Sequence, residues 1–522
     1  MSNQADRCYF GVRTGAAMAE NSEIRGRVSV TIGMCFLAAI LEGYDIQAFG
    51  IAAPKLVAAL SLNPAEQGWA ASAAMIGLVF GAFTGGRVAD AMGRKPVLLI
   101  SVALFGIGAL WTATSGSFLA LLPARFVTGL GFGGAYPVLI AIAAEVSAPS
   151  RRSAVTCALF CGMPAGGSLV SLFANIAGEQ LDWRMIFVVG GALPLAILPL
   201  LWFFLTETRP SRDDSANARL MPALFEDGRA TATILLASAS FLALVVLYLI
   251  LNWLPSLVVA KGYLSGDGAA ASFAFNITGV LGALLLGFLA DIAGVRRALV
   301  LAYATTLVSL YFLGAAQSVL MIVVYSGLLG LFASSVSFVL YGLAPTLYPV
   351  NVRAAAAGAI VGVGRLGTIA GPLLAGQLRQ IGWSAESVID AMLPIVVLGA
   401  VCAITLTSRF RQPIADVGDH RDPAAAIQPH PGARGPEVTP GDHARIRPWR
   451  QCDGRAGIEF VAVAGQQQAP AGMGIPGEGD NAHAPLSAER RVAQAFLHRS
   501  MAGMGSKRAA SGPRRRRSNL KI

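Results

Sequence analysis

Twelve apolar stretches, each close to the roughly 20 residues a helix needs to cross a bilayer, constrain this 522-residue chain more than any other feature. Inside lipid every backbone N–H and C=O must be satisfied within the protein, so repeated crossings require helices or a closed barrel. Continuous apolar runs of this length select helices. The expected spans are 28–54, 68–89, 97–115, 118–144, 153–177 and 184–205, then 231–255, 268–290, 298–316, 319–343, 355–377 and 387–407. Only 13% of residues are charged, against about 25% in soluble domains. The expected fold is all-α integral membrane, with twelve transmembrane helices in two six-helix bundles, 28–205 and 231–408. Around them lie an N-terminal segment (1–27), a polar linker (206–230) and a basic tail (409–522). The tail's Gly, Pro, Ala and Arg content reads as disorder.

The net charge of +11 belongs mostly to that tail. From Arg409 onward there are 18 basic and 10 acidic residues, a net of +8. Before the tail, the segments on the N-terminal side of the membrane hold 15 basic residues. The opposite loops hold four: Lys55, Arg184, Lys261 and Arg379. This asymmetry predicts that both termini are cytoplasmic. The Arg514–Arg517 run reads as part of an unstructured extension, and no nucleic acid partner is expected. The first 27 residues lack a short apolar core followed by a small-residue cleavage site, so no cleavable leader is expected. The six cysteines show no metal spacing; Cys157 and Cys161, one turn apart in an apolar stretch, read as packing residues. No nucleophile–base set and no cofactor loop occurs, so the sequence predicts neither an enzyme nor a bound cofactor or metal.

Charged residues inside the spans carry the functional signal, because such groups are costly at bilayer depth and mark ion or substrate pathways. The first span holds Glu42 and Asp45, three residues apart and so expected on one helix face. Two carboxylates that close do not both ionise cheaply, as a proton-binding site requires. All five histidines lie in the tail, so proton traffic in the membrane falls to carboxylates. Arg125 in the fourth span needs a partner, either a carboxylate of the first helix or backbone carbonyls. Arg365 is the charge well inside a span of the second half. Its two-pronged guanidinium suits a substrate carboxylate; pairing across the interface with Asp45 is the alternative. Ring surfaces are offered by Tyr44, Phe49, Tyr136, Tyr248, Trp253 and Tyr341. Gly77, Gly81 and Gly85, and Gly367 and Gly371, form small-residue faces for tight helix packing.

An internal repeat ties the halves together. Gly86, Asp90 and Gly93 after the second span recur as Gly287, Asp291 and Gly294 after the eighth, each 201 residues on. Two six-helix halves of one ancestry, with the site at their interface, are a known transporter plan. The stretch 86–95 resembles the cytoplasmic loop signature of the major facilitator superfamily, with Ala91 in place of the usual first basic residue. The run from Arg125 through Gly129, Gly131, Gly133 and Gly134 is similar to that superfamily's fourth-helix signature, and Gly162–Gly167 to its fifth-helix Gly-Pro motif. Glu42-Gly43-Tyr44-Asp45, Asn252-Trp253-Leu254-Pro255, Leu340–Pro345 and Gly364-Arg365-Leu366-Gly367 together resemble the aromatic acid:proton symporter family, over about residues 28–408.

The resemblance implies a monomeric carrier of the bacterial inner membrane. It would import a small aromatic carboxylate, hydroxyphenylpropionate-like or benzoate-like, with a proton by alternating access and no cofactor. It implies proton coupling at Asp45, Glu42 and Arg125, and substrate contact at Arg365, Tyr44, Tyr136, Trp253 and Tyr341. Gating falls to Asp90, Arg94, Glu145 and Asp291: the 86–95 loop latches the outward-open state, Asp90 pairs with Arg94 or accepts from a helix N-terminus across the interface, and Glu145 pairs with Arg151 or Arg152. A proton-driven exporter of amphipathic compounds and a transporter-like chemoreceptor are the alternatives.

Overall fold

In the computed structural model of the protein, residues 5–148, 151–205, 207, 224–225, 229–348 and 353–409 are described, with side chains from Val28 onward except at 153, 154, 345, 354 and 355. Most of the 206–230 linker and, apart from Arg409, the 409–522 tail lie outside the described residues, so the expected disorder of the tail falls there too. Twelve crossings are present among the described residues. They are α1 (Ala5–Leu60), α2 (Pro64–Met92), α3 (Arg94–Thr114), α4 (Phe118–Val146), α5 (Arg152–Ala177), α6 (Trp183–Phe204), α7 (Ala230–Ala260), α8 (Ser265–Ala293), α9 (Val295–Gly314), α10 (Val319–Leu343) and α11 (Arg353–Gln380), with α12 (Ala385–Asp390) and α13 (Met392–Arg409) sharing the last.

Local chemistry sets the helix ends. Asn63 and Glu66 form a reciprocal capping box, with Pro64 at the first helical position of α2. Ser117, Asp182, Ser318 and Ser384 each accept a backbone N–H at the start of α4, α6, α10 and α12. The repeated glycines Gly93 and Gly294 stop α2 and α8 at φ 95° and 88°, a region costly for any residue with a Cβ. The sequence repeat is thus a repeated turn.

The halves pack alike. In the first, α1 lies on α5, α2 on α4, and α3 on α4 and α6; in the second, α7 lies on α11, α8 on α10, and α9 on α10 and α13. Small residues let the backbones approach. A Cβ added at Gly77 or Gly81 would collide with α4 backbone, and one at Gly367 or Gly371 with α7 backbone. The expected packing role of these glycines is what the structure shows.

Contacts between the halves run through α1 with α7, α2 with α11, and α5 with α8. They gather toward the face carrying the Ser61–Asn63 turn. There Gly68 meets Pro372 and Gly376, Ser72 Oγ donates to the Ile369 carbonyl at 2.9 Å, and Asn175 Nδ2 donates to the Gly266 carbonyl at 3.1 Å. At the same face Glu179 accepts from Ser265 Oγ at 2.7 Å and Gly266 N at 3.1 Å, capping α8. Lys55 donates to the carbonyls of Gly178, Glu179 and Leu181. The halves are therefore joined at the turn face, away from the face that carries Gly93 and Gly294.

Candidate functional site

Between the halves lies a cavity of about 140 Å³. Glu42 and Gln47 of α1, Tyr136 of α4, and Phe160, Met163 and Pro164 of α5 line one wall. Tyr248 of α7, Asn276 of α8, Phe338 and Tyr341 of α10, and Arg365 of α11 line the other. The lining is mostly ring and aliphatic carbon around one carboxylate and one guanidinium. Tyr136, Phe160 and Phe338 form an edge-to-face chain, with centroids 5.8 and 5.5 Å apart, that bridges the halves on the loop-motif side of the cavity.

Glu42 and Arg365 face the same space and interact electrostatically, yet no ion pair within 4.0 Å joins them. Glu42 Oε2 and Arg365 Nη1 are buried without a hydrogen-bond partner. Tyr136, Tyr248 and Tyr341 all lie within electrostatic reach of Arg365, and the buried Tyr136 hydroxyl has no partner either. Arg365 is set by its neighbours in sequence. Gly364 and Gly367 pack against Ser240 and Phe241 of α7, and of the two residues between them Arg365 lines the cavity while Leu366 is exposed.

Asp45 lies elsewhere. It is fully buried, does not line the cavity, and faces α6, where a Cβ on Gly190 would sit 3.3 Å from Oδ1. Its electrostatic partner is Arg125, again without an ion pair within 4.0 Å. Arg125 is also fully buried, and all three of its guanidinium nitrogens lack hydrogen bonds. It lies over the Phe49 ring at 5.1 Å and near that of Phe187 at 5.8 Å, so π faces supply part of what a carboxylate would. The two acids of α1 thus do not share one environment. Glu42 looks across the interface at Arg365, and Asp45 looks into its own half at Arg125. The carboxylate that Arg365 faces across the interface is thus Glu42 and not Asp45, with no ion pair closed between them.

Of the residues expected to touch substrate, Arg365, Tyr136 and Tyr341 line the cavity, while Tyr44 and Trp253 do not. Tyr44 donates to the Ile186 carbonyl at 3.3 Å, and Trp253 Nε1 to the Pro372 carbonyl at 3.1 Å. This buried bond ties α7 to α11. Unforeseen lining residues are Phe160, Phe338, Gln47 and Asn276. The two amides carried a signal, being polar residues within apolar spans.

At the loop-motif face, Arg94 forms an ion pair with Glu145. The expected Glu145 partners, Arg151 and Arg152, are not paired with it, because Arg94 opens α3 directly beside the end of α4. The α3 N-terminus is capped by Glu207, which accepts from Arg94 N at 2.9 Å. Asp90 and Asp291 are exposed and make no ion pair within 4.0 Å among the described residues.

Comparison with known proteins matches this geometry. A family model described as Major Facilitator Superfamily matches residues 35–282 and 265–456. The chain is 40% identical over 397 residues to a 3-(3-hydroxy-phenyl)propionate transporter of Escherichia coli (strain K12), spanning 76% of this chain and 98% of the relative. It is 30% identical to a gallate transporter of Pseudomonas putida, spanning 70% and 88%. Among solved structures, a D-xylose-proton symporter superposes with a TM-score of 0.61 at 18% identity, covering 73% of this chain and 97% of that one. A bacterial homolog of the lysosomal transporter Spinster, inward-facing and unoccupied, gives 0.60 at 17% identity, covering 74% and 98%. These two establish the fold alone. With the family model over most of its length and a 40% identical relative spanned almost end to end, this multi-pass membrane protein belongs to the Major Facilitator Superfamily, grouped with its aromatic-acid transporters.

Proposed function

We propose that the protein is a proton-coupled symporter that imports an aromatic carboxylate across the inner membrane by alternating access. The observation that carries this reading is Arg365 with an unpartnered Nη1, set among tyrosines in a cavity between the halves and opposite a buried carboxylate. An aromatic acid supplies the missing parts: a carboxylate for the guanidinium and a ring for the Phe160, Phe338 and tyrosine walls. The names of the relatives, transporters of hydroxyphenylpropionate and gallate, support the same substrate class.

The cycle follows from charge. An anion entering beside Arg365 meets Glu42, a like charge if ionised, so the acid binds best when Glu42 carries a proton. Asp45, beside Arg125, is the second candidate proton carrier. Closure at the turn face matches the cytoplasm-facing half of the cycle, given cytoplasmic termini. The exposed Asp90 fits a latch that is released in this half. The carrier works as a monomer, its driving force the proton gradient.

The deciding experiment is uptake of a labelled aromatic-acid panel by proteoliposomes under an imposed pH gradient. Accumulation driven by an inward proton gradient and abolished by a protonophore is expected. Uptake indifferent to the gradient, or accumulation only with the gradient reversed, overturns the symport reading.

A further inference from the structure

One polar feature of the cavity is not used by charge recognition. Gln47 of α1 and Asn276 of α8 exchange two amide hydrogen bonds across the interface. Gln47 Nε2 donates to Asn276 Oδ1 and Asn276 Nδ2 donates to Gln47 Oε1, each at 2.6 Å. Both side chains are buried and both line the cavity. Asn276 Nδ2 gives its second hydrogen to the Ser272 carbonyl at 2.8 Å. A primary amide has two N–H donors and an oxygen with two lone pairs. The count therefore leaves one N–H on Gln47 and one lone pair on each amide oxygen. Space for the pair is kept by Gly167 of α5, where an added Cβ would strike the Gln47 amide and lie 2.8 Å from Asn276 Oδ1.

This residue of hydrogen-bonding capacity suits one kind of group. A carboxylate would face two oxygen lone pairs and be repelled, so the charged end of the substrate belongs at Arg365. A hydroxyl donates and accepts at once, which matches one N–H beside two carbonyl oxygens. A site with unspent polar groups discriminates against an analogue that leaves them unmet.

We propose that Gln47 and Asn276 form the subsite that reads a hydroxyl on the substrate ring, and so set a preference for hydroxylated over unsubstituted aromatic acids. The inference rests on the aromatic-acid reading of the cavity. The two residues belong to different halves, so a hydroxyl held by both touches a contact that must part when the turn face opens.

The test compares two acids that differ by that one group, 3-(3-hydroxyphenyl)propionate and 3-phenylpropionate, binding to the full-length protein in proteoliposomes. Wild type is expected to favour the hydroxylated acid by about tenfold, the worth of one net hydrogen bond. In Gln47→Met and in Asn276→Leu, near-isosteric changes on different helices, the ratio of affinities falls to about one. Asn276→Gln, which keeps the amide, retains part of it. A wild-type ratio of one, or a tenfold ratio that survives both variants, overturns the proposal. Equal losses for the two acids also overturn it, and make the pair an interface clasp alone. Failure of wild type to bind either acid is a different result, which removes the aromatic-acid reading and the subsite with it.

Discussion

Arg365→Ala removes the cation that the proposed site is built around. Its worth follows from its surroundings. Arg365 is partly exposed rather than sealed, so the roughly 3–5 kcal/mol lost on breaking a fully buried pair is too much to expect. A hydrogen bond to a charged group, about 1.5–3 kcal/mol, is the better measure. At about 1.4 kcal/mol per tenfold, acid affinity should fall by roughly one to two orders of magnitude. Arg365→Lys should restore only part, because an ammonium lacks the paired donors of the fork. The assay is binding by the purified protein of an aromatic acid and of its amide. The amide should bind wild type weakly and lose little further in Arg365→Ala. Equal losses for acid and amide would refute the reasoning and make Arg365 a brace between α1 and α11.

Four other variants have defined outcomes. Glu42→Gln should bind the acid with an affinity that no longer falls as pH rises and should lose uphill uptake while sparing exchange, whereas Asp45→Asn should keep the pH dependence of binding; a pH dependence unchanged in Glu42→Gln, or one lost in Asp45→Asn, would count against these roles. Gly68→Val should hold the turn face apart, because even a Cβ there lies 2.9 Å from the Pro372 carbonyl and 3.1 Å from Gly376 Cα; a cysteine placed beside Ser72 should then react faster with an impermeant thiol reagent, and an unchanged rate with normal transport would refute it. Ending the chain after Arg409, where the twelfth crossing closes, should leave uptake per transporter intact, and a truncated protein present in normal amount yet inactive would assign the tail a function.

Twelve crossings were legible because each needs only a local run of apolar residues. Helix ends were less so. The Asn63 and Glu66 capping box extends α2 beyond its apolar run, since polar capping groups belong to the helix but not to the hydropathy signal. The repeat was legible in sequence as Gly93 and Gly294, and its physical content is the shared positive φ. The site was legible in its charges and less so in its walls. Glu42, Arg365 and Arg125 stand out because charge is rare in a span. Tyr44, Tyr248 and Trp253 do not differ in any local way, and only helix rotation decides that Tyr248 reaches the cavity while Trp253 bonds to α11. Gln47 and Asn276 are separated by 229 residues, a pairing no local pattern encodes.

The separation of Glu42 from Asp45 changes what coupling requires. Spacing alone places both acids on one face of α1, where they would share one proton-binding environment. In the fold the boundary of the cavity passes between them. Asp45 is sealed with Arg125 among Phe49 and Phe187, inside one half, and its environment need not change as the halves rock. Glu42 shares Arg365 with whatever occupies the cavity, and its partner sits on the other half. In the proposed cycle the anion and the Glu42 carboxylate therefore compete for one guanidinium. A proton on Glu42 releases the guanidinium to the anion, and by linkage acid and proton favour each other's binding to the same degree. Movement of α11 relative to α1 alters that competition directly, whereas it reaches Asp45 only through α1 itself. Coupling of substrate to proton is thus expected at Glu42, with Asp45 and Arg125 setting the field in which α1 carries its charge.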